Sequence, residues 1–434
     1  MLHLVKTRRF MPLCVTQFLG AMNDNIFKNA LVILVTFKLA EQLNMDTQLV
    51  ITASAGLFIL PFFIFSATAG QVADKFEKSK LIRIIKTIEI ILMSGAIIGF
   101  YLQSLPLLLV ILFLMGTQST FFGPLKFSIL PDHLQQHELM GGNALIEATT
   151  FISILLGTII GGLVILLDQG ILLIGIIVLC VAISGRFASS FIPKADAADP
   201  TLPIQYNIIK PTFTMMKFAR NRNDVFLSIL GISWFWFVGV TLLTLFPLFA
   251  KDTFGANEQV VTLFLTVFAL GVGIGSFACD ALLKGKVDAR YVWIAALVMG
   301  IGIMGLCLTS SHVTTPSEDV LINAFTFIQS WPNIIILCFL LFISIAGGIY
   351  IVPLYTLIQA RSNHQHLARI LASNNIFNAL FMVLSSLAIG LCFELDFAVT
   401  EIFWIVGIAN LPIAWVVKHI VKREKLKNHV KMGS

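Results

Sequence analysis

The chain has 434 residues, 57% of them hydrophobic and 12% charged, with a formal net charge of +6 and a mean hydropathy of +0.92. That charged fraction is about half the ordinary level for soluble proteins, so too little polar surface is available for a water-facing exterior. A soluble globular fold, a disordered chain, collagen and a nucleic-acid-binding protein are excluded.

A bilayer-spanning helix needs about 20 apolar residues. The N-terminus, MLHLVKTRRFMPLCVTQFLG, places basic residues before an apolar run without a small-residue cleavage site, which predicts a retained first span over 10–40. Further apolar segments follow at 49–73, 81–103, 106–130, 140–167 and 170–192. A polar stretch with four prolines comes next, and then segments at 225–250, 260–283, 290–311, 332–358, 370–394 and 397–421. The layout predicts an all-α membrane protein with 12 transmembrane helices. Its expected parts are an N-terminal six-helix bundle (1–192), a linker (193–224), a C-terminal six-helix bundle (225–421) and a basic tail (422–434).

Cationic residues set the expected orientation. Of the 29 Lys and Arg, 24 fall at the N-terminus, between Lys75 and Lys86, in the linker, at Lys284, Lys286, Arg290, Arg361 and Arg369, or from Lys418 onward. These are the two ends and alternate loops; Lys38 and Lys251 are exceptions. The positive-inside rule then predicts both termini and the linker on the cytoplasmic side. Cys14, Cys180, Cys279, Cys307, Cys338 and Cys392 all lie in apolar stretches without paired spacing, so no disulfide framework, metal site or cofactor is expected. His133, His137, His364 and His366 read as solvated loop residues. A G-x4-G-K-[ST] phosphate loop is absent from the sequence, which argues against an ATP-driven pump, and no catalytic constellation emerges.

The two halves repeat. GPLKFSILPDHLQQHELMGGNALIEA from Gly123 aligns with VPLYTLIQARSNHQHLARILASNNIFNA from Val352. Pro124 and Leu125 fall on Pro353 and Leu354, and Asn143 and Glu147 fall on Asn374 and Asn378. Same-sense duplication of six-helix halves is a known transporter architecture.

Six plus six spans, a central linker and GQVADKFEKSK between the second and third spans resemble the major facilitator superfamily. Gly70, Asp74, Lys75, Lys78 and Lys80 match its signature, with Glu77 where a second Gly is usual. A weaker echo runs from Gly275 to Asp280, Lys284 and Lys286. Within that superfamily, QFLGAMNDNIFKNAL, FFGPLKFSILPD and GGNALIEATTFISILLGTIIGGL resemble the bacterial lysophospholipid transporters. That resemblance implies a monomeric inner-membrane carrier working by alternating access. It would take a lysophospholipid such as lysophosphatidylethanolamine, or another amphiphile, in contact with membrane lipid. It also implies a cytoplasmic acyltransferase as partner, since some relatives are fused to one. One position departs from the family pattern: Gly239-Val240-Thr241-Leu242 is followed by Leu243 where an Arg is expected. A proton-coupled drug exporter, or an importer of a small anionic metabolite or siderophore, is the alternative reading.

The first span carries Asn23, Asp24, Asn25, Lys28 and Asn29. A charge near the bilayer centre costs at least ~2.5–3.5 kcal/mol, so these residues should face a cavity or other helices. Asp24/Lys28 and Asn25/Asn29 stack at i, i+4, either as a headgroup site or as a self-neutralising helix contact. Lys126 in the fourth span is either a phosphate-binding cation or a side chain reaching to the interface. Asn143 and Glu147 share one face of the fifth span. Glu147 would hold a proton or pair with Lys28 or Lys126, and Glu89 reads as interfacial or locally paired. In the repeat, Asp24 falls on Phe235, Lys28 on Gly239 and Lys126 on Tyr355. Glu147 falls on Asn378 and Asn143 on Asn374, so a charged half opposed by a less charged, aromatic half with Phe235 and Trp236 suits an amphiphile better than a sugar. Gly70, Asp74, Lys75 and Arg83 are expected at a gate, with Asp74 accepting from loop cations or a helix N-terminus. Gly157 and Gly161 are expected to allow close packing within the chain.

Overall fold

The computed structural model describes residues 2–36, 47–205, 222–312 and 321–432. Lys38, linker residues 206–221 and the side chains of the expected basic tail, 422–434, lie outside the described part. Twelve long helices occur among the described residues. They are α1 (Met11–Leu34), α2 (Thr47–Lys75), α3 (Lys78–Tyr101), α4 (Leu105–Ser128), α5 (Leu139–Val164) and α6 (Gly170–Ser189). The second set is α7 (Asn223–Leu248), α8 (Glu258–Leu283), α9 (Val292–Ser310), α10 (Trp331–Arg361), α11 (Leu367–Glu394) and α12 (Val399–Met432). Ten of these are long and apolar enough to cross a bilayer. The other two are α1 and α3, the helices that carry the Asn23–Asn29 stripe and the Lys78–Glu89 charges. Large apolar side chains such as Ile91, Leu163, Phe187, Ile301 and Leu387 are exposed, as a lipid-facing exterior requires. α12 is helical through Met432, beyond the predicted end of its span at 421.

The contacts sort the chain into two compact units. The first holds Met1–Gly142, Ile152–Asn221 and Gln359–Ala379; the second holds Asn143–Phe151, Arg222–Ile358 and Leu380–Ser434.

In the first unit, α1 packs on α6, α2 on α4, and α3 on both α4 and α6. Ile26, Phe27, Leu31, Met93, Ala96, Phe100, Leu108, Leu112, Ile174 and Val178 form its core. Phe27 and Phe100 meet edge to face at 5.4 Å. Because lipid is as apolar as leucine, close backbone packing rather than hydrophobic exclusion joins helices in a membrane. The α1–α5 contact shows this. A Cβ on Gly157 would lie 2.6 Å from the Met22 carbonyl oxygen, and one on Gly161 would lie 2.5 Å from that of Ile26. The linker folds back as far as it is described. The Ala195 carbonyl accepts from Lys78 N at 3.0 Å, Asp199 N donates to the Asp74 carbonyl at 2.8 Å, and Gln205 N donates to Gln71 Oε1 at 2.8 Å.

In the second unit, α12 packs on α9 and α7, and α7 on α8. Its core is aromatic. Phe249 lies 5.1 Å from both Phe254 and Phe403, and Phe264 lies 5.6 Å from Phe327, ring centre to ring centre. Gly300 lets α9 approach α12, where a Cβ would sit 2.8 Å from the Gly407 carbonyl oxygen.

Candidate functional site

The polar stripe of α1 lies in the first unit. Asp24 accepts a 2.7 Å hydrogen bond from the Ser119 hydroxyl of α4. Lys28, one turn on, places its ammonium 4.5 Å from the centre of the Phe58 ring of α2, a cation–π contact that partly replaces lost water. Asn25 donates back to the Ala21 carbonyl at 2.8 Å. Asn29 donates to the Asn25 carbonyl at 2.9 Å and to Thr158 of α5 at 3.2 Å. Both asparagines therefore use amide protons on their own helix, and Asn29 also ties α1 to α5.

Asn23 leads to a centre that sequence reasoning missed in part. It is fully buried and donates to Glu89 Oε1 at 3.0 Å. Glu89 Oε2 accepts from Lys86 at 2.6 Å and from Gln118 at 3.1 Å. Lys86 and Glu89 are 1% and 2% exposed, so a complete ion pair is buried on α3. The Lys86 ammonium also stands 4.8 Å from the centre of the Phe122 ring. Any Cβ on Gly20 would collide with that ammonium, so glycine makes the space for it. The local pairing expected for Glu89 is present. Lys86 corrects its assignment to the run of topology charges: it lies at i, i+3 from Glu89 after an apolar Ile-Ile step, which was the available signal.

Lys126, half-buried on α4, lies 4.8 Å from the centre of the Phe127 ring. Gly123 and Pro124 do not break α4; a Cβ on Gly123 would lie 2.6 Å from the Asn375 amide nitrogen, so glycine makes room for that side chain. Asn374 and Asn378, also in this unit, are buried on α11.

The expected gate residues separate into three places. Asp74, fully buried at the end of α2, accepts from the Ala368 and Arg369 backbone N–H groups at 3.1 and 3.3 Å and from Arg369 Nε at 2.8 Å. A carboxylate thus neutralises the positive end of α11 and one of its cations together. Gly70 lies against the same turn; its Cβ would be 2.7 Å from that of Ala372. Lys75 stands 5.9 Å from the Phe76 ring centre, and Arg83 donates to Glu77 at 3.4 Å. Arg369 and the linker residue Asp199, 3.4 Å apart, were legible in the sequence only as an ordinary loop cation and linker anion.

Next to that joint, fully buried Lys78 donates to the Ser128 carbonyl at 3.0 Å and to Asp132 at 2.6 Å. His364 Nε2 lies 2.5 Å from the other Asp132 oxygen, and Arg369 donates to His366 Nδ1. These two histidines are partnered rather than merely solvated. At the head of α5, Glu138 accepts from Arg9 at 2.6 Å and from His3 at 3.0 Å, and Arg9 holds its carboxyl down at about 2.

In the second unit, Asn143, Glu147 and Phe151 follow one another at i, i+4 and i+8 on one face of α5. Asn143 donates to Thr356 at 3.1 Å, and Glu147 is 2% exposed. Phe151 stacks on Trp236 at 6.1 Å and meets Phe235 and Phe268 edge to face at 6.0 Å each. Phe235 also stacks on Tyr350 at 6.4 Å. Phe235 and Trp236 therefore belong to one aromatic cluster with Phe151, Phe268 and Tyr350, in which Phe235 is buried. Those three were hidden among 37 phenylalanines and 5 tyrosines.

The sequence profile of the Major Facilitator Superfamily matches residues 13–386. A protein of Escherichia coli O1:K1 / APEC named "Lysophospholipid transporter LplT" is 28% identical over 353 residues, which span 80% of this chain and 79% of that one. Its namesake in Enterobacter sp. (strain 638) is 25% identical over 360 residues, 82% of each chain. Among solved structures, the human organic anion transporter MFSD10 (TETRAN) superposes with a TM-score of 0.71 at 13% identity, over 94% of this chain and 99% of that one. At that identity the likeness concerns the fold alone. Given a profile match over most of its length and helices that cross a membrane many times, the chain belongs to the major facilitator superfamily and is a membrane transporter, not an enzyme.

Proposed function

We propose that the chain moves lysophospholipids, with lysophosphatidylethanolamine as the preferred form, across a bacterial inner membrane by alternating access. The observation that carries this reading is the shared name of relatives aligned over about four fifths of the chain. The chemistry of the two units supports it. Asp24, Lys28 and Lys126 offer both signs of charge to a zwitterionic headgroup, with Asn25, Asn29, Asn143, Glu147, Asn374 and Asn378 as further polar contacts. Phe235 and Trp236, joined by Phe151, offer an apolar surface to an acyl chain. The distribution of Lys and Arg supports cytoplasmic termini. Gly70, Asp74, Lys75 and Arg83 act at the cytoplasmic gate, where release of Asp74 from the start of α11 accompanies opening. A cytoplasmic acyltransferase would consume the delivered lipid, and the working unit is a monomer.

Reconstitution in liposomes tests the proposal. Labelled lysophosphatidylethanolamine should enter protein-containing vesicles faster than empty ones, and Asp24→Asn or Lys126→Ala should remove most of the gain. Running the assay with and without a proton gradient reads the role of Glu147. Folded protein that gives no uptake above empty liposomes overturns the assignment.

A further inference from the structure

Asp24 does not stand alone in the first unit. Its Oδ2 accepts from Ser119, whose oxygen is 3.3 Å from Gln118 Oε1, and the Gln118 amide donates to Glu89, which is paired with Lys86. The chain has a fixed sense. An ionised Glu89 can only accept, so Gln118 must turn its NH2 towards Glu89 and its carbonyl oxygen towards Ser119. The Ser119 hydroxyl has one proton and two acceptors in reach; the 2.7 Å contact to Asp24 is much the shorter, so Asp24 takes the proton and Gln118 Oε1 only lies beside the hydroxyl oxygen. Asn23, in the same turn of α1 as Asp24, anchors the other oxygen of Glu89 at 3.0 Å. The ion pair at the far end balances its own charge. It can therefore stand beside Asp24 without adding net charge, and Lys28, one turn further along α1, sits over Phe58 of α2.

We propose that Ser119 is a positioning residue for Asp24, fixing one carboxylate oxygen beside the buried Lys86–Glu89 pair so that the other can receive a substrate ammonium. This rests on the reading of Asp24 as a headgroup contact. It adds a selectivity: positioning matters for a headgroup that carries an ammonium and not for one that lacks it.

The test compares uptake of lysophosphatidylethanolamine with that of lysophosphatidylglycerol, which has no ammonium, in liposomes containing the full chain. Ser119→Ala should raise KM for the first substrate about tenfold, the loss expected for one hydrogen bond to a charge. Its kcat, and its KM for the second substrate, should stay within about twofold. Ser119→Thr keeps the hydroxyl and should restore KM. Gln118→Leu, which leaves the donor to Asp24 in place, should keep KM for both substrates within about twofold. A melting curve in detergent checks that each variant is folded. Equal losses on both substrates, or an unchanged KM in Ser119→Ala, overturn the positioning role while leaving the substrate assignment intact. A wild-type protein that transports neither lipid overturns both.

Discussion

The two units both pack apolar cores, but the polar and aromatic residues they add to those cores differ. The first buries charge: Lys86 with Glu89, Lys78 with Asp132, and Asp74 with Arg369. The second has an interior of ring on ring, from Phe151 through Phe235 to Tyr350 and from Phe249 to Phe327. The sequence repeat sharpens the contrast, because Asp24 aligns with Phe235 and Lys126 with Tyr355. A buried ion pair is costly to make and costlier to break, so a duplicated half that retains several has a use for charge. Phenylalanine rings bury a large apolar area and need no hydrogen-bond partner. A molecule with a charged head and a hydrocarbon tail matches that division.

The largest expected effect comes from breaking the charged side of the contrast. Lys86→Met or Glu89→Leu alone leaves a charge buried without its partner and should cost about 3–5 kcal/mol. The double variant should recover most of the loss. Melting temperatures of the four proteins in detergent form the cycle, and additive losses would show that the pair does not act as a unit.

Opening the α2–α11 joint should have the next largest effect. Asp74→Asn removes the charge that holds Arg369 and the start of α11, worth about 1–3 kcal/mol. Gly70→Val forces a side chain into the space of Ala372. Either change should raise alkylation of a cysteine placed at Ala372, buried in the wild type, by about tenfold. An unchanged rate would remove the joint from any gating role.

Aromatic substitutions test the other unit. Trp236→Gln should disturb packing less than a change at Phe235, since Phe235 is 2% exposed and Trp236 is only partly buried. It should lower lysolipid uptake several-fold with little change in melting temperature. Unchanged uptake would count against the apolar wall.

The smallest effect is a pH dependence at the head of α5. Arg9 depresses the Glu138 carboxyl from its ordinary 4.5 to about 2. A depressed carboxyl stabilises the fold above its unfolded value, and that contribution disappears as pH falls from about 4.5 through about 2. Because Arg9 is partly exposed and screened, the gain at neutral pH is about 1 kcal/mol. The melting-temperature difference between wild type and Glu138→Gln should close across that window, and a constant difference would exclude the mechanism.

The helices were legible because each apolar run announces itself within about 20 residues, and the superfamily signature fixed the fold from Gly70 to Lys80. Residue types that do not belong in a lipid-facing helix were legible too, which is why Asp24, Lys28 and Glu147 stood out. Partnership was harder to read. Lys86 and Arg369 looked like any cation near a loop, since their meaning depends on Glu89 one turn away and on Asp74 across 295 positions of sequence. Asn25 and Asn29 each give one amide proton to a backbone carbonyl one turn back, a use that the residue type alone does not announce. Phe151 shared its residue type with too many lipid-facing neighbours to be singled out.

The division of labour is tested most directly by uptake of a grid of lysolipids that varies headgroup in one direction and acyl length in the other. Asp24→Asn should change headgroup preference and leave the chain-length dependence as in the wild type. Trp236→Gln should change chain-length dependence and leave headgroup preference alone. If both variants shift both dependences alike, the charged and aromatic units do not read separate parts of one amphiphile, and the account fails.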